Sequence, residues 1–252
     1  MSIAPRKSLG QHFLVDENIL GVIERLAVLR PDDVVLEIGP GLGVLTRFLA
    51  ARVAHVHAVE LDRRLEEQLT GVERTTVHWG DALRLDLSAL TPTPVKLVAN
   101  LPYNVATPIV AESLDDPQLR HWCVMVQREV ADRFFAEPRT KAYGSVSVLV
   151  QLATRRTGFH AVSREVFRPR PNVDSALVAF SRIAPGAGAD VKRVVEAAFS
   201  HRRKTLANAF ALAGVATREQ AVAALDTLGR AATVRAEELE PDEFVALTRA
   251  LA

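Results

Sequence analysis

A short glycine-rich segment restricts the fold of this chain more than any other feature. Residues 37–43 have the sequence Glu-Ile-Gly-Pro-Gly-Leu-Gly and continue the apolar run that begins at Val34. A helical pattern starts at Leu42, one residue before this segment ends. A buried strand, a tight glycine turn and a helix are the opening half of a β-α-β unit, and such units build mostly parallel sheets covered by helices. Glycine also lets a ligand approach the backbone closely.

The spacing of the glycines favours one kind of ligand over another. A dinucleotide-binding loop would have its third glycine at position 44, where this chain has Val44. The observed Gly-x-Gly-x-Gly spacing suits a nucleoside cofactor that carries no pyrophosphate. For this segment taken alone, a tight turn without a ligand remains the alternative.

Two carboxylates follow the next two predicted strands. Glu60 ends the strand at 55–59, and Asp81 follows the strand at 75–79. Because parallel strands end at the same edge of a sheet, both should lie beside the glycine loop. There Glu60 could accept hydrogen bonds from ribose hydroxyls, and Asp81 from the amino group of an adenine. Each residue could alternatively cap the helix that follows it.

The remaining patterns predict an α/β fold with a mostly parallel seven-stranded sheet, followed by a small all-helical domain. We expect the final two strands to pair in antiparallel fashion, since no long helix separates them. The predicted strands cover residues 34–38, 55–59, 75–79, 95–99, 122–126, 145–152 and 176–180. A Pro-Gly-Ala-Gly linker at 185–188 divides the chain, which predicts domains at 1–184 and 189–252.

The charges are distributed unevenly although the formal net charge is only +1. Residues 120–170 contain ten basic and four acidic side chains, whereas residues 60–119 contain five basic and ten acidic ones. A basic stretch of this kind fits a polyanionic partner, and a solvated charged surface is the alternative. Cys123 is the single cysteine and lies in an apolar run, so we expect a core residue, no disulfide and no metal site. No long apolar run is present, so we expect a cytoplasmic protein.

The most specific feature is the tetrapeptide Asn100-Leu101-Pro102-Tyr103, which follows the predicted strand at 95–99. The amino group of adenine is a weak nucleophile because its lone pair is delocalised into the ring. The Asn100 side-chain oxygen and the Leu101 carbonyl could accept its hydrogens and draw the nitrogen toward a tetrahedral form. Pro102 would fix the turn, and Tyr103 offers a face on which an extruded base can stack. An ordinary Asn-x-Pro turn is the alternative.

These motifs together resemble the ribosomal RNA adenine N6,N6-dimethyltransferases of the KsgA/Dim type, over nearly the whole chain. The matching segments are 7–14, 37–43, 100–108, 127–131, 143–144, 167–175 and 202–206. The resemblance implies a Rossmann-like S-adenosylmethionine-dependent methyltransferase domain with a helical C-terminal RNA-binding domain. It also implies a substrate, two adjacent adenosines in the 3′-terminal hairpin of 16S ribosomal RNA, each dimethylated during maturation of the small subunit. We expect a monomer with no membrane partner.

The family pattern also assigns residues. Phe167 matches an aromatic residue thought to stack on the second face of the target base, although from the sequence a core position is equally compatible. His12 stands where the family usually has Asn. The implied cofactor-binding residues are His12, Leu14, Gly39, Gly41, Glu60, Leu61, Asp81, Ala82 and Asn100. The candidate RNA-binding residues are Arg155, Arg156, Arg168, Arg170, Arg202, Arg203 and Lys204. For the last three, ion pairs with Glu237, Glu238 and Glu240 are the alternative.

Three other functions remain open from the sequence. An Erm-type enzyme, which methylates an adenine of 23S ribosomal RNA, would share the glycine loop and the tetrapeptide. The Phe-x-Pro-x-Pro-x-Val-x-Ser run at 167–175 and the Arg-Arg-Lys-Thr segment at 202–205 favour the KsgA type. A non-catalytic RNA-binding assembly factor would not need Asn100. A DNA adenine methyltransferase would usually have Asp-Pro-Pro-Tyr at positions 100–103.

Overall fold

The computed structural model describes residues 5–6, 9–86 and 89–252. Lys7 and Ser8 of the N-terminal motif lie outside the described residues. The chain forms two compact units. The sheet unit comprises residues up to 131 together with 155–182, and the helical unit comprises 132–154 together with 183–252.

The sheet unit alternates strands and helices along the chain. Its strands are β1 (Phe13–Leu14), β2 (Val34–Ile38), β3 (His55–Glu60), β4 (Thr75–Trp79), β5 (Lys96–Asn100), β6 (His121–Gln127), β7 (Thr154–Val162), β8 (Phe167–Arg168) and β9 (Ser175–Arg182). The helices before β7 are α1 (Glu17–Ala27), α2 (Val44–Ala50), α3 (Glu66–Leu69), α4 (Ala106–Ser113), α5 (Arg128–Phe134) and α6 (Ser145–Ala153). None of the helices within the described ranges is long and apolar enough to cross a membrane.

Seven strands form one sheet in the order β4-β3-β2-β5-β6-β9-β7. The pairs β2/β3, β3/β4, β2/β5 and β5/β6 are parallel, whereas β9 is antiparallel to β6. This confirms the predicted α/β fold with a mostly parallel sheet. The carboxyl ends of β2 to β5 therefore lie at one edge, where the glycine loop, Glu60 and Asn100 follow or end their strands.

Helix α1 covers one face of this sheet. Its N-cap is Asp16, whose side chain accepts a hydrogen bond from the Asn18 backbone nitrogen at 2.8 Å. Ile19 and Ile23 of α1 are buried in the same apolar cluster as Cys123 of β6. Cys123 is thus a core residue, and its burial raises the pKa of the thiol to about 12.

The strand predicted at 145–152 is wrong, because these residues form α6. The alternation of Val146, Val148 and Val150 with other residues favoured a strand. In the structure, however, the helix is buried on nearly all sides, and tertiary packing decides its conformation rather than β-propensity. The Ser147 hydroxyl accepts a hydrogen bond from the Gly144 nitrogen at 3.0 Å and so caps the first turn.

The seventh strand of the sheet is β7, which no pattern in the sequence predicts. It lies at the end of the sheet, and most of its side chains are exposed or half-buried, with buried residues only at Thr154 and Val162. An edge strand of this kind carries charged residues such as Arg155 and Arg156 and lacks a clear apolar alternation. The pattern that identifies interior strands is therefore absent from its sequence.

The helical unit contains α6 and the helices α7 (Gly188–Ser200), α8 (Leu206–Ala213), α9 (Arg218–Thr227) and α10 (Pro241–Leu251). Its second segment begins at Ile183, close to the predicted domain boundary at 184. Its first segment, residues 132–154, lies within the predicted N-terminal domain. Tyr143 explains this difference. Its ring is fully buried and packs edge-on against Phe199 at 5.8 Å, and its hydroxyl donates to the Leu239 carbonyl at 2.8 Å.

Phe167 lies in the core of the sheet unit rather than beside a cleft. Its side chain is 0% exposed and belongs to the cluster that includes Ile19 and Cys123. Its backbone pairs with Leu14, because β8 is antiparallel to β1. The structure therefore corrects the stacking role expected for Phe167, since a ring enclosed by apolar side chains presents no face to a target base.

Replacement of Phe167 by Ala should lower the free energy of unfolding by about 3–5 kcal/mol, because it leaves a cavity in the core. Chemical denaturation followed by circular dichroism measures this change. Val173→Ala in the following loop is the control, since Val173 is 46% exposed and its loss should change stability by at most ~0.5 kcal/mol. Unchanged stability of Phe167→Ala would contradict the core position.

Candidate active site

A cleft with a volume of about 200 Å³ lies at the carboxyl edge of the sheet. The structure brings all nine predicted cofactor-binding residues to its wall. These are His12, Leu14, Gly39, Gly41, Glu60, Leu61, Asp81, Ala82 and Asn100. Leu101, Pro102 and Tyr103 of the tetrapeptide line the same cleft. One space therefore joins the candidate cofactor residues to the candidate catalytic residues.

The glycine loop packs so tightly that side chains would not fit. Gly39 and Gly41 have φ angles of +74° and +59°, which L side chains rarely adopt. A Cβ atom on Gly41 would lie 2.9 Å from the Phe13 ring, and one on Gly39 would lie 3.2 Å from the Pro102 ring. The loop thus contacts both the N-terminal strand β1 and the tetrapeptide, and it leaves its backbone open to the cleft.

Glu60 is buried at the end of β3, with 6% of its surface exposed. One carboxylate oxygen accepts from the Gly41 nitrogen at 3.1 Å, and the other accepts from the Asp62 nitrogen at 2.9 Å. Burial raises the pKa of Glu60, while these backbone donors oppose the shift. The carboxylate therefore holds the glycine loop, and it retains lone pairs for further donors.

Asp81 is exposed, lines the cleft and has the capping role that was the alternative for this residue. Its Oδ1 atom accepts from the Leu83 nitrogen at 3.0 Å, which caps the turn that follows β4. Its Oδ2 atom lies 3.7 Å from Arg84. The exposed apolar side chain of Leu61, the residue after Glu60, also lines the cleft and offers a surface for a flat ring.

Glu37 is a further cleft residue that the predicted site set did not include. Its carboxyl group is 1% exposed, and its Oε2 atom has no hydrogen-bond partner among the residues that the structure describes. Burial raises the pKa of Glu37 to about 8, and the nearby charge of Glu60 adds to the shift, while Thr46 opposes it. The signal for this residue was its position two residues before the first glycine of the loop.

The Asn100 side chain is held in one orientation by the N-terminal segment. Its amide nitrogen donates to the His12 carbonyl oxygen at 3.0 Å. Its Oδ1 atom is buried and has no partner within the described part of the chain. An amide oxygen in this state can accept a hydrogen bond from a group that enters the cleft.

His12 uses its ring for contacts with the protein. Its Nδ1 atom lies 2.8 Å from the Pro169 carbonyl oxygen and must carry the hydrogen, because a carbonyl can only accept. The imidazole ring packs beside the Tyr103 ring at a centroid distance of 5.3 Å. Of its ring nitrogens, only Nε2 therefore remains for the hydrogen bond to a cofactor that we expected from this position.

The N-terminal segment is also tied to the end of β3 through Asp62. Gln11 donates from its amide to the Asp62 carboxylate at 3.2 Å, and Arg64 contacts the same carboxylate at 2.5 Å. The hydrogen bonds from Arg64 hold the pKa of Asp62 well below its usual range. Gln11 lines the cleft and was not predicted as a site residue, since a single glutamine gives no local pattern.

The candidate RNA-binding residues are exposed in both units. In the sheet unit, Arg155, Arg156, Arg168 and Arg170 lie at the surface, and Arg170 pairs with Glu165 at 2.7 Å. In the helical unit, Arg202, Arg203 and Lys204 are exposed, and Arg202 lies 3.4 Å from Glu237. Arg202 thus forms one of the ion pairs that the sequence offers as the alternative to RNA binding.

Comparison with known proteins decides the family. The family model described as ribosomal RNA adenine dimethylase matches residues 4–251. The chain belongs to this family. Among its curated relatives, ribosomal RNA small subunit methyltransferase A of Rubrobacter xylanophilus is 48% identical over 97% of this chain and 94% of that protein. The protein of the same name in Lactiplantibacillus plantarum is 43% identical over 98% of this chain and 90% of its own length.

Solved structures support the same fold. A dimethyladenosine transferase from Plasmodium falciparum superposes with a TM-score of 0.76 at 24% identity, covering 94% of this chain and 96% of that one. The 23S rRNA methyltransferase ErmE superposes with a TM-score of 0.64 at 30% identity, covering 95% of this chain and 99% of its own. The fold is therefore the Rossmann-like fold of S-adenosylmethionine-dependent methyltransferases, as the sequence predicted.

Replacement of Glu60 by Ala should weaken S-adenosylmethionine binding by at least about a hundredfold, since two hydrogen bonds from ribose to a carboxylate contribute on the order of 1.5–3 kcal/mol each. Isothermal titration calorimetry measures the affinity. Glu67→Ala is the matched control, because Glu67 is an exposed carboxylate on α3. An unchanged affinity combined with a lowered melting temperature would show that Glu60 only holds the glycine loop.

Proposed function

We propose that this protein transfers methyl groups from S-adenosylmethionine to the N6 amino groups of two adjacent adenosines in the 3′-terminal hairpin of 16S ribosomal RNA. The reaction would take place on the immature small ribosomal subunit. The relatives are small subunit methyltransferases by name, which supports the small subunit as the source of the RNA. The observation that carries the proposal is the buried, unpartnered Oδ1 atom of Asn100 in the cleft.

Asn100 and Leu101 provide the acceptors that this reaction needs. The Oδ1 atom of Asn100 accepts one hydrogen of the adenine amino group, and the Leu101 carbonyl oxygen accepts the other. The backbone nitrogen of Leu101 donates to the Met125 carbonyl at 3.0 Å. This hydrogen bond holds the backbone immediately before the Leu101 carbonyl. The Pro102 carbonyl accepts from the Val105 nitrogen at 3.1 Å, which fixes the turn. The acceptors are thus oriented before the substrate arrives.

Tyr103 supplies the face on which the extruded adenine stacks. Its side chain is half-buried and lines the cleft, two residues after the Leu101 acceptor in the chain. Stacking of a base on an aromatic side chain contributes about 1–3 kcal/mol. The stack would hold the amino group near Asn100 while the base is out of its helix.

The cleft residues fit S-adenosylmethionine. When bound, this cofactor supplies a methyl group on a positively charged sulfur. The backbone of Gly39 and Gly41 allows close approach, and the buried Glu60 carboxylate would accept hydrogen bonds from the ribose hydroxyls. Asp81 and the apolar surface of Leu61, which line the same cleft, would hold the adenine ring of the cofactor.

The exposed basic residues of both units would bind RNA phosphates. In the helical unit, Arg203 and Lys204 are exposed, whereas Arg202 also donates to the Lys141 carbonyl at 3.1 Å. Arg168 in the sheet unit donates to the Phe167 carbonyl at 2.9 Å and keeps its guanidinium at the surface. Structured RNA is recognised largely by shape and phosphate contacts, for which such residues suffice.

Methylation of 23S ribosomal RNA is the second candidate, and the similarity to ErmE favours it. That similarity amounts to 30% identity, compared with 43% and 48% for the two small-subunit methyltransferases. Both reactions act on the same adenine amino group. The substrate RNA, rather than the chemistry of the cleft, therefore distinguishes them.

Replacement of Asn100 by Ala should lower the rate of methyl transfer to purified small subunits roughly a hundredfold or more, because it removes one acceptor for the amino group. Transfer of a tritiated methyl group measures the rate. Asn18→Ala on the exposed side of α1 is the control variant and should retain the full rate. Near wild-type turnover of Asn100→Ala would remove Asn100 from the catalytic site.

Replacement of Arg203 and Lys204 together by Ala should weaken RNA binding and flatten its salt dependence. Each lost phosphate contact reduces the slope of log affinity against log salt by about 0.7 to 0.9. Titration of RNA at several salt concentrations gives this slope, and Arg249→Ala, an exposed cation of α10, is the control. If the slope is unchanged while the melting temperature falls, the two residues stabilise the helical unit instead.

A further inference from the structure

The hydroxyl group of Tyr103 is hydrogen-bonded to the hydroxyl group of Ser175, 72 residues further along the chain. Ser175 is the first residue of β9 and is 1% exposed. Tyr103 is half-buried and lines the cleft. The bond therefore links a residue of the core to a residue of the candidate active site.

The topology of the sheet explains why these residues meet. Strand β9 is antiparallel to β6, and Ser175 is paired with Gln127, the last residue of β6. The beginning of β9 thus lies at the edge where the parallel strands end. The Arg128 nitrogen donates to the Asp174 carbonyl at 3.0 Å and fixes the chain just before Ser175. Ser175 is consequently anchored on the backbone at both sides.

Tyr103 has a second contact on its ring. The His12 imidazole packs beside it with an interplanar angle of 31°. A tyrosine side chain has only two rotatable bonds, so a contact on the ring and a hydrogen bond at the hydroxyl together fix its orientation. Without the hydrogen bond, the ring could turn about its side-chain bonds toward the open cleft.

We propose that Ser175 is a positioning residue, which holds the Tyr103 ring in the orientation needed for stacking on the target adenine. This inference rests on the proposed function. Ser175 does not line the cleft and would act on the base only through Tyr103. Loss of its hydroxyl should therefore lower kcat for methyl transfer and leave S-adenosylmethionine affinity unchanged.

A second buried serine provides a matched control. Ser113 is also 1% exposed, and its hydroxyl accepts from the Trp122 ring nitrogen at 2.8 Å. Trp122 is fully buried and does not line the cleft. Ser113→Ala thus removes the same kind of contact, between a buried serine and an aromatic residue, without a connection to the site.

The test compares Ser175→Ala, Tyr103→Phe and the double variant in methyl transfer to small subunits. Each single change should lower kcat roughly three- to tenfold, the range of one neutral hydrogen bond. The double variant should lose no more than either single variant, because both changes remove the same bond. Ser175→Thr should restore kcat, and Ser113→Ala should lower the melting temperature while kcat is retained. Independent, multiplying losses in the double variant would overturn the proposal.

A second readout does not depend on turnover. The chain has two tyrosines, Tyr103 and Tyr143, so the protein labelled with ¹³C-tyrosine gives two sets of ring signals in NMR spectra. Ser175→Ala should shift and broaden the Tyr103 signals and leave those of Tyr143 unchanged. Unaltered Tyr103 signals would overturn the proposal. If the unaltered protein methylates no ribosomal RNA, the proposed function fails, while these spectra still decide whether Ser175 orients the ring.

Discussion

The geometry of the cleft depends on the hydrogen bond from the Asn100 side-chain nitrogen to the His12 carbonyl oxygen, at 3.0 Å. This bond joins the end of β5 to the segment before β1, and β1 in turn pairs with β8. Because the amide nitrogen is used in this way, the orientation of the amide oxygen is fixed. The close contact between Gly39 and Pro102 places the glycine loop beside the tetrapeptide that begins at Asn100. Cofactor residues and catalytic residues are thus parts of one packed arrangement.

Among the described residues, two of the five buried side-chain polar atoms that lack a hydrogen-bond partner belong to residues of the cleft. Within the described residues, Asn100 Oδ1 and Glu37 Oε2 are buried without a hydrogen-bond partner. An unsatisfied buried polar group costs about 1–3 kcal/mol, so a protein retains it where a ligand compensates for the cost. The raised pKa of Glu37 has the same physical origin, which is removal of the carboxylate from water. These atoms lie on strand ends, where the sheet holds them rigidly.

Features with a strong local signal could be predicted from the sequence, and features set by distant contacts could not. The interior strands were identified because they are continuous apolar runs, and Glu60 and Asn100 because they follow such runs. Helix α6 has the alternation of a strand but is helical because it is buried on nearly all sides. Phe167 belongs to a family motif, yet only the structure shows it enclosed by the core. The hydrogen bond between Tyr103 and Ser175 depends on the antiparallel pairing of β9 with β6. No local sequence pattern connects this strand with the tetrapeptide.

The most direct test of this account is to incubate the protein and S-adenosylmethionine with three substrates side by side: immature small subunits, large-subunit RNA and duplex DNA. Mass spectrometry of nuclease digests then identifies the modified bases and their positions. The account predicts N6,N6-dimethyladenosine at two adjacent positions in the 3′-terminal hairpin of 16S ribosomal RNA and no methylation of the other substrates. Methylation of large-subunit RNA alone, or of none of the three, would contradict it.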